Sequence, residues 1–243
     1  MEDLWACWTI PPAGKQAPGG AAGPVMSSRT KLVSIDKIAR DPEIGSMLIR
    51  LMMVMNDCAI AEESATMWRG RTDEKTRIKQ QEAFKFFVEL QIGHLHEGLA
   101  LIREIAKKPK LRDLVDQCPH ITQAQFDHLK NYKPGVALGA VMADIRNKLA
   151  FHYDPTMIRD ELRAHVREQP GTAALISIGG SSEDILFEPG AVINERVAVN
   201  KVLRITADAD ADAEPNRLMI ELEKVMEDFM NFGGTFVWKH TRL

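Results

Sequence analysis

A chain of 243 residues with a formal net charge of -3 is long enough to bury a sizeable core, and it carries no overall positive charge that would attract nucleic acid. Its apolar content of 45% and charged content of 27% are typical of a soluble globular protein. The three cysteines are far apart and odd in number, which argues against a disulfide framework or a zinc site. A cytoplasmic protein is therefore predicted, and any contact with RNA or DNA has to be local.

The N-terminal segment, residues 1–30, is rich in Pro, Gly, Ala and Ser and has no lasting periodicity, so it is predicted to be a disordered tail. It lacks the basic start of a signal peptide. Met26 is an alternative start, which would remove residues 1–25 from the native protein. The most apolar run, MLIRLMMVM, is interrupted by Arg50 and is too short to span a bilayer, so no membrane association is predicted.

Apolar residues at three- and four-residue steps predict a series of helices within one domain, residues 31–243. Asp41 and Pro42 are a typical N-cap and first residue for the first long helix. The helix at 155–168 presents Ile158, Leu162 and Val166 on one face. The predicted helices cover 42–69, a second segment through 84–105 that stops at 107, then 111–115, 121–129, 136–153, 155–168 and 216–232.

The pattern changes after Pro170-Gly171, where AALISI, GGSS and DILF predict a β-hairpin. The segment VAVNKVLRI, residues 197–205, could add a strand. The predicted fold class is therefore all-α: a helical bundle of four to five main helices, with a small β insertion at about 172–206 before the last helix.

No metal site or cofactor is predicted. The alternating aspartates of 208–212 resemble the opening of a calcium loop, but Ala213 stands where that loop needs glycine. His94 and His96 point about 160° apart on a helix, so they cannot bind one ion. His94 and Glu97 share a face and leave a weaker hypothesis open, a metal-dependent hydrolase.

The helix predicted at 136–153 has an apolar face and, opposite it, a face of small residues. A helix with two such faces is expected to be buried on two sides, with the small face approached by another helix or by a second subunit. Arg146 lies at the seam between the two faces, and Lys148 can pair with Asp144 four residues earlier. The small face consists of Gly139, Ala140, Ala143, Asn147 and Ala150.

Arg146 and His152 lie about 120° apart on an ideal helix, so they do not form a tight pair within one straight helix. They can converge if the helix end unwinds or if a second copy of the helix faces the first. In the alternative interpretation, Arg146 pairs with a carboxylate such as Glu97, while His152 caps carbonyls at the helix end.

The sequence RNKLAFHYD resembles the motif of HEPN domains, a helical family that includes many bacterial toxins and abortive-infection proteins. In that motif an Arg, followed by a polar residue, precedes a His by four to six residues; here Arg146, Asn147 and His152 fill these positions. Lys148 and Asp154 match the abortive-infection branch. The family fold is a bundle of four or five helices, and the resemblance covers roughly residues 40–168 and the last helix.

This resemblance implies a toxin or phage-defence effector that cleaves RNA without a metal or other cofactor. It implies a homodimer through the helix 136–153, with a composite site to which both chains contribute Arg146 and His152. An antitoxin or another regulatory protein is a further implied partner.

The chemistry suits these residue types. Histidine titrates near neutrality and can act as base or acid when an RNA 2′-OH attacks the adjacent phosphorus, and arginine stabilises the charge on the phosphate. Asn147 could orient the His or the phosphate, and Tyr153 could stack on a base. Lys148 and Asp154 are weaker substrate-binding candidates. The alternative function is a non-catalytic binding or regulatory protein, with the β insertion as its docking element.

Overall fold

The computed structural model describes residues 30–69, 77–132, 137–150, 154–177, 186–203 and 213–241. This part of the chain is mostly helical, which confirms the all-α class. The tail predicted at 1–30 lies outside the described residues except for Thr30. The α-helices are α1 (Ile35–Ile38), α2 (Pro42–Arg69), α3 (Arg77–Lys107), α4 (Pro109–Asp116), α5 (His120–Leu129), α6 (Ala137–Ile145), α7 (Pro155–Glu168), α8 (Glu188–Val197) and α9 (Ala213–His240).

Local sequence determines several of the helix boundaries. The Asp41 carboxylate accepts hydrogen bonds from the backbone N–H groups of Glu43 and Ile44 at 3.2 and 3.1 Å, so α2 begins where predicted. Asp154 caps α7 in the same way, and Pro155 is its first residue. The bounds predicted for the helices 42–69 and 155–168 are confirmed.

The core lies where α2, α3 and α9 meet. Three phenylalanines of α9, Phe229, Phe232 and Phe236, are fully buried. A side chain at Gly98 of α3 would come within 2.4 Å of the Phe229 ring, so the absence of a Cβ at this position allows α3 and α9 to approach closely. This packing fixes α3, which carries one side of the candidate site described below.

Helix α9 is longer than predicted. The prediction ended it at Phe232, before Gly233 and Gly234, but the helix continues to His240. A Cβ at Gly233 would come within 2.6 Å of the Met55 sulfur, so the small residue leaves room for α2 against α9. Tertiary packing thus outweighs the helix-breaking tendency of the glycine pair.

The predicted β insertion is largely wrong. The described part of the segment 197–205 does not form a strand, because α8 reaches Val197 and a π-helical turn covers Ala198–Leu203. Ile193, Val197 and Val202 are buried in the helical arrangement, and this burial outweighs their strand preference. A hairpin of the predicted extent is not seen. The described residues contain two strands of two residues each, β1 (Ile176–Ser177) and β2 (Leu186–Phe187), which pair antiparallel.

Helix α7 buries a charge, whereas two of the three apolar residues noted in its sequence are exposed. Leu162 and Val166 are exposed, whereas only 3% of Glu161 is exposed. The Glu161 carboxylate contacts Arg196 Nε at 3.3 Å and Lys201 Nζ at 3.2 Å, and it accepts a hydrogen bond from Asn200 Nδ2 at 2.8 Å. This ion cluster joins α7 to α8 and to the π-helical turn that follows it.

Helix α2 is, among the described residues, the one helix long and apolar enough to cross a membrane. Core helices of soluble proteins pass the same test of length and composition. One side of α2 is buried: Leu48, Leu51 and Cys58 belong to the core. This packing is that of a core helix, although the opposite side of α2 is exposed.

Candidate functional site

Arg146 begins a π-helical turn, Arg146–Ala150, that continues directly from α6. A π turn has more residues per turn than an α-helix, so the directions of these side chains depart from the ideal wheel used in the sequence analysis. Ile145 and Leu149 are buried, whereas Arg146 is half-buried and Asn147 is exposed. The turn therefore keeps the apolar residues in the core while the arginine reaches the surface.

Two side chains hold the Arg146 guanidinium. Its Nε lies 2.8 Å from Glu97 Oε1 of α3, an ion pair without the alignment of a hydrogen bond. Its Nη1 donates a hydrogen bond of 2.7 Å to Asn147 Oδ1. The side chains of Arg146 and Glu97 are 38% and 45% exposed. The pairing with Glu97, the alternative interpretation of the sequence, is present, but water screens it strongly.

His96 of α3 lies in the electrostatic neighbourhood of this pair. Burial lowers the pKa of His96; Glu97 acts in the opposite direction, and the positive charges of Arg103 and Arg146 lower the pKa further. Both ring nitrogens are buried and make no hydrogen bond to any residue that the structure describes. Such an imidazole is neutral near pH 7 and has one donor and one acceptor without a partner among the described residues.

Arg103 is a second cation near this site. Its Nη1 donates a hydrogen bond of 3.0 Å to the backbone carbonyl of Tyr132, just after α5. Burial lowers the pKa of Arg103, and Glu97 opposes this shift. The guanidinium remains charged because an ordinary arginine titrates far above neutrality. Arg103 and Arg146 both act electrostatically on His96, and guanidinium groups of this kind can bind an anion such as a phosphate group.

The structure places the other predicted site residues as follows. Lys148 Nζ lies 2.7 Å from Asp144 Oδ1, so the pair expected from the four-residue spacing is present. Asp154 uses its carboxylate to cap α7, accepting from Thr156 N at 2.8 Å. His152 and Tyr153 lie outside the described residues.

The small-residue face of α6 and its π turn is not buried as predicted. Gly139 is buried, but Ala140 and Asn147 are exposed, and Ala143 and Ala150 are half-buried. Burial on two sides is therefore wrong for the single chain. The approach of a second subunit to this face stays a prediction.

The hypothesis of a metal-dependent hydrolase at His94 and Glu97 finds no support in the geometry. His94 Nδ1 lies 3.5 Å from Asp57 Oδ2 of α2, whereas Glu97 pairs with Arg146. In the described ranges there is also no group of three or more His, Cys, Asp or Glu side chains placed to hold a metal ion.

A second polar cluster joins α5 to α9 and was missed in the sequence. His128 Nδ1 lies 2.6 Å from Asp228 Oδ2, and His128 Nε2 lies 3.3 Å from the Tyr132 hydroxyl. Burial, followed by the charge of Glu221 and a hydrogen bond to it, raises the pKa of Tyr132 to about 12. Because these groups bond to one another, the cluster serves as a structural contact that holds α5 against α9.

His96 and Arg103 were also missed as site residues. Their seven-residue spacing, with the small Ala100 between them, places both on one face of α3 and could have indicated them. Neither could be assigned to Arg146 from the sequence, because their sequence separation from it exceeds 40 residues. Comparison with protein-family models, with curated proteins and with solved structures gives no match to this chain. The assignment of a site therefore depends on its own residues.

Proposed function

We propose that the chain is a metal-independent endoribonuclease of HEPN type, a toxin or phage-defence effector. Arg146 binds the phosphate, and His152 transfers a proton between the attacking 2′-OH and the leaving 5′-oxygen. The observation that carries the proposal is the half-exposed Arg146 guanidinium, six residues before a histidine. Among the described residues, a screened carboxylate and a neighbouring amide are its contacts. The motif RNKLAFHYD supplies the resemblance.

The Arg146 contacts are compatible with RNA binding. Within the described residues, the hydrogen bond to Asn147 uses one of the five N–H groups of the guanidinium, and Glu97 adds an ion pair at Nε without hydrogen-bond alignment. An exposed ion pair contributes only about 0–1 kcal/mol, so a phosphate can replace or share the Glu97 contact at little cost. The guanidinium then binds two phosphate oxygens, which a lysine could not do with the same geometry.

The proposal includes a homodimer in which the helix 136–153 faces its counterpart. The exposed Ala140 and Asn147 support it, since small side chains allow two backbones to approach closely. A composite site would then bring the arginine of one chain near the histidine of the other. An antitoxin or regulatory protein that covers this face remains part of the proposal.

The test is RNA cleavage by purified full-length protein in the presence of a metal chelator. Arg146→Ala and His152→Ala are each expected to lower the cleavage rate about 100-fold or more, because each removes a group that acts on the transition state. Helix content, measured by circular dichroism, is expected to stay unchanged.

Matched controls are available on exposed surfaces. Arg159→Ala removes an arginine that is 56% exposed and contacts only its neighbour Asp160 among the described residues, and His120→Ala removes an exposed histidine at the start of α5. Both should cleave as the wild type does. If Arg146→Ala and His152→Ala still cleave RNA, or if both unfold, the site assignment is wrong.

The alternative function, a non-catalytic binding protein, is favoured by a different observation. Leu175, Ile176 and Phe187 are each more than half exposed beside the short β pair. Exposed apolar groups at a paired strand edge can accept a partner segment. Wild-type protein that never cleaves RNA, and that loses a bound partner on Ile176→Glu, would support this function instead.

A further inference from the structure

Helix α2 carries an apolar stripe on the side that faces away from the core. Its members Ile49, Met53, Ile60 and Met67 are between 39% and 66% exposed. On an ideal helix these four positions fall within about 40° of one another, so they form one continuous strip. The helix has 28 residues and a length of about 42 Å.

The spacing within this strip is that of a coiled coil. Asn56 and Glu63, both exposed, fill the gaps between the apolar residues. The six positions 49, 53, 56, 60, 63 and 67 are then separated by 4, 3, 4, 3 and 4 residues. This alternation is the a/d pattern that another helix needs for knobs-into-holes packing. A single polar Asn within such a pattern typically specifies register.

Two charged residues border the strip on one side. Arg50 and Asp57 directly follow Ile49 and Asn56, which are d positions of this pattern, and the side chain of each is 46% exposed. Within the chain, Arg50 Nη1 lies 2.8 Å from Glu104 Oε2 and Asp57 Oδ2 lies 3.5 Å from His94 Nδ1, both of α3. These exposed contacts are weak, so each charge can also interact with a second copy. In a parallel pair of α2 helices, Arg50 would face Gly45 and Asp57 would face Met52 of the partner subunit, so neither charge gains a counter-charge. A parallel dimer is therefore not favoured.

An antiparallel pair gives charge complementarity in one register. When Ile49 lies beside Ile60 of the partner subunit, Arg50 comes near Asp57 of the partner subunit. The two-fold symmetry of such a dimer repeats this ion pair, so the interface contains two of them. A shift by one heptad would instead bring the two Asp57 side chains together, which is unfavourable. The favoured register is also centred near the middle of α2, so it uses almost the whole helix.

The other border of the strip is apolar in the same register. Met52, which is half-buried, would face Ala59 of the partner subunit, an exposed small residue. Met53 and Asn56 would form the two central layers, with the Asn56 side chains of the two copies less than one helical turn apart along the axis.

We propose that two copies of this chain associate through α2 as an antiparallel helix pair. Ile49 packs on Ile60 of the partner subunit, and Arg50 pairs with Asp57 of the partner subunit. The interface is separate from the one suggested for the helix 136–153, and it does not depend on ribonuclease activity. A chain that uses both interfaces forms assemblies larger than a dimer.

The test exchanges charges in full-length protein and measures molar mass by size-exclusion chromatography with light scattering. Arg50→Glu places two glutamates opposite two aspartates, and Asp57→Lys places two lysines opposite two arginines. Each variant alone is expected to halve the mass of the wild type, with a dissociation constant about tenfold weaker or more. An equimolar mixture of the two variants should restore the wild-type mass, because each interface then contains two opposite-charge pairs.

The restored mass in the mixture is also the control for folding, since unfolded chains could not produce it. Met53→Glu is expected to lose the association without rescue, whereas Ala140→Glu on α6 should leave the α2 interface intact. The proposal is overturned if the wild type is monomeric, if neither charge variant changes the mass, or if the mixture stays dissociated. A monomeric wild type would assign the strip to a different occupant, such as another protein or residues 1–29.

Discussion

Two of the arginine–glutamate pairs that join neighbouring elements of this molecule have opposite environments. Arg196 and Glu161 are 13% and 3% exposed, and the Glu161 carboxylate has three partners. Arg146 and Glu97 are 38% and 45% exposed, and within the part of the chain that the structure describes a single contact of 2.8 Å joins their charged groups. A buried pair within an ion cluster supports the fold, whereas a half-exposed pair leaves its arginine able to bind a ligand.

The largest effect is expected at the buried pair. Glu161→Gln should lower the free energy of unfolding by about 3–5 kcal/mol, because it leaves Arg196 and Lys201 as positive charges with too few counter-charges. Urea denaturation measures this change. Glu168→Gln is a matched control on the same arginine: Glu168 is 56% exposed and lies 3.0 Å from Arg196 Nη2, so its loss should cost less than about 1 kcal/mol. Equal effects of the two substitutions on the free energy of unfolding would contradict the difference expected between a buried and an exposed carboxylate.

A smaller effect on stability, and an opposite effect on binding, is expected at the exposed pair. Glu97→Gln should change the free energy of unfolding by less than about 1 kcal/mol, since water screens its contact with Arg146. RNA should bind several-fold more tightly, because the carboxylate no longer competes with phosphate for the guanidinium. Filter binding at two salt concentrations measures the affinity. Weaker RNA binding would show that Glu97 positions Arg146 rather than competing for it.

The smallest effect concerns pH. Burial lowers the pKa of His96 in the folded chain below its ordinary value of 6.5. The contribution of neutral His96 to the free energy of unfolding is therefore complete at a pH above 6.5. It declines as the pH falls through 6.5, because the unfolded chain takes up the proton more readily than the folded chain.

Compared with His96→Gln, the wild type should lose more unfolding free energy between about pH 7.5 and about pH 5.5, as measured by denaturation at each pH. Identical pH profiles for the two proteins would show that His96 is accessible to water. An anion bound beside His96 should reduce the difference, because negative charge favours the imidazolium.

Proline and capping residues made the helix boundaries predictable. Asp41-Pro42 and Asp154-Pro155 act through covalent geometry and local hydrogen bonds, so α2 and α7 begin where the sequence predicts. The same holds for the end of α3 before Pro109. The strand predicted at 197–205 is wrong for residues 197–203, because their valines fit either a strand or a buried helix face, and only packing against the bundle selects between them.

The candidate site was predictable only in part. Arg146, Asn147 and Lys148 are adjacent in sequence, and the expected pairs with Glu97 and Asp144 are present. His96 and Arg103 join the site through the packing of α3 against α6, which no local pattern indicates. The roles of Arg146 and His152 in cleavage remain predictions.

The sequence by itself therefore determined where most helices begin and end, and which residues form the short motif before Asp154, because these depend on interactions within a few residues. Tertiary structure decided which charges are buried, how far α9 continues past Gly233, and which side of α2 stays exposed. Those outcomes depend on whether a distant side chain fills the space, as Met55 does beside Gly233 and Arg196 does beside Glu161. Burial is a property of the packed bundle, and no single helix carries it in its own sequence.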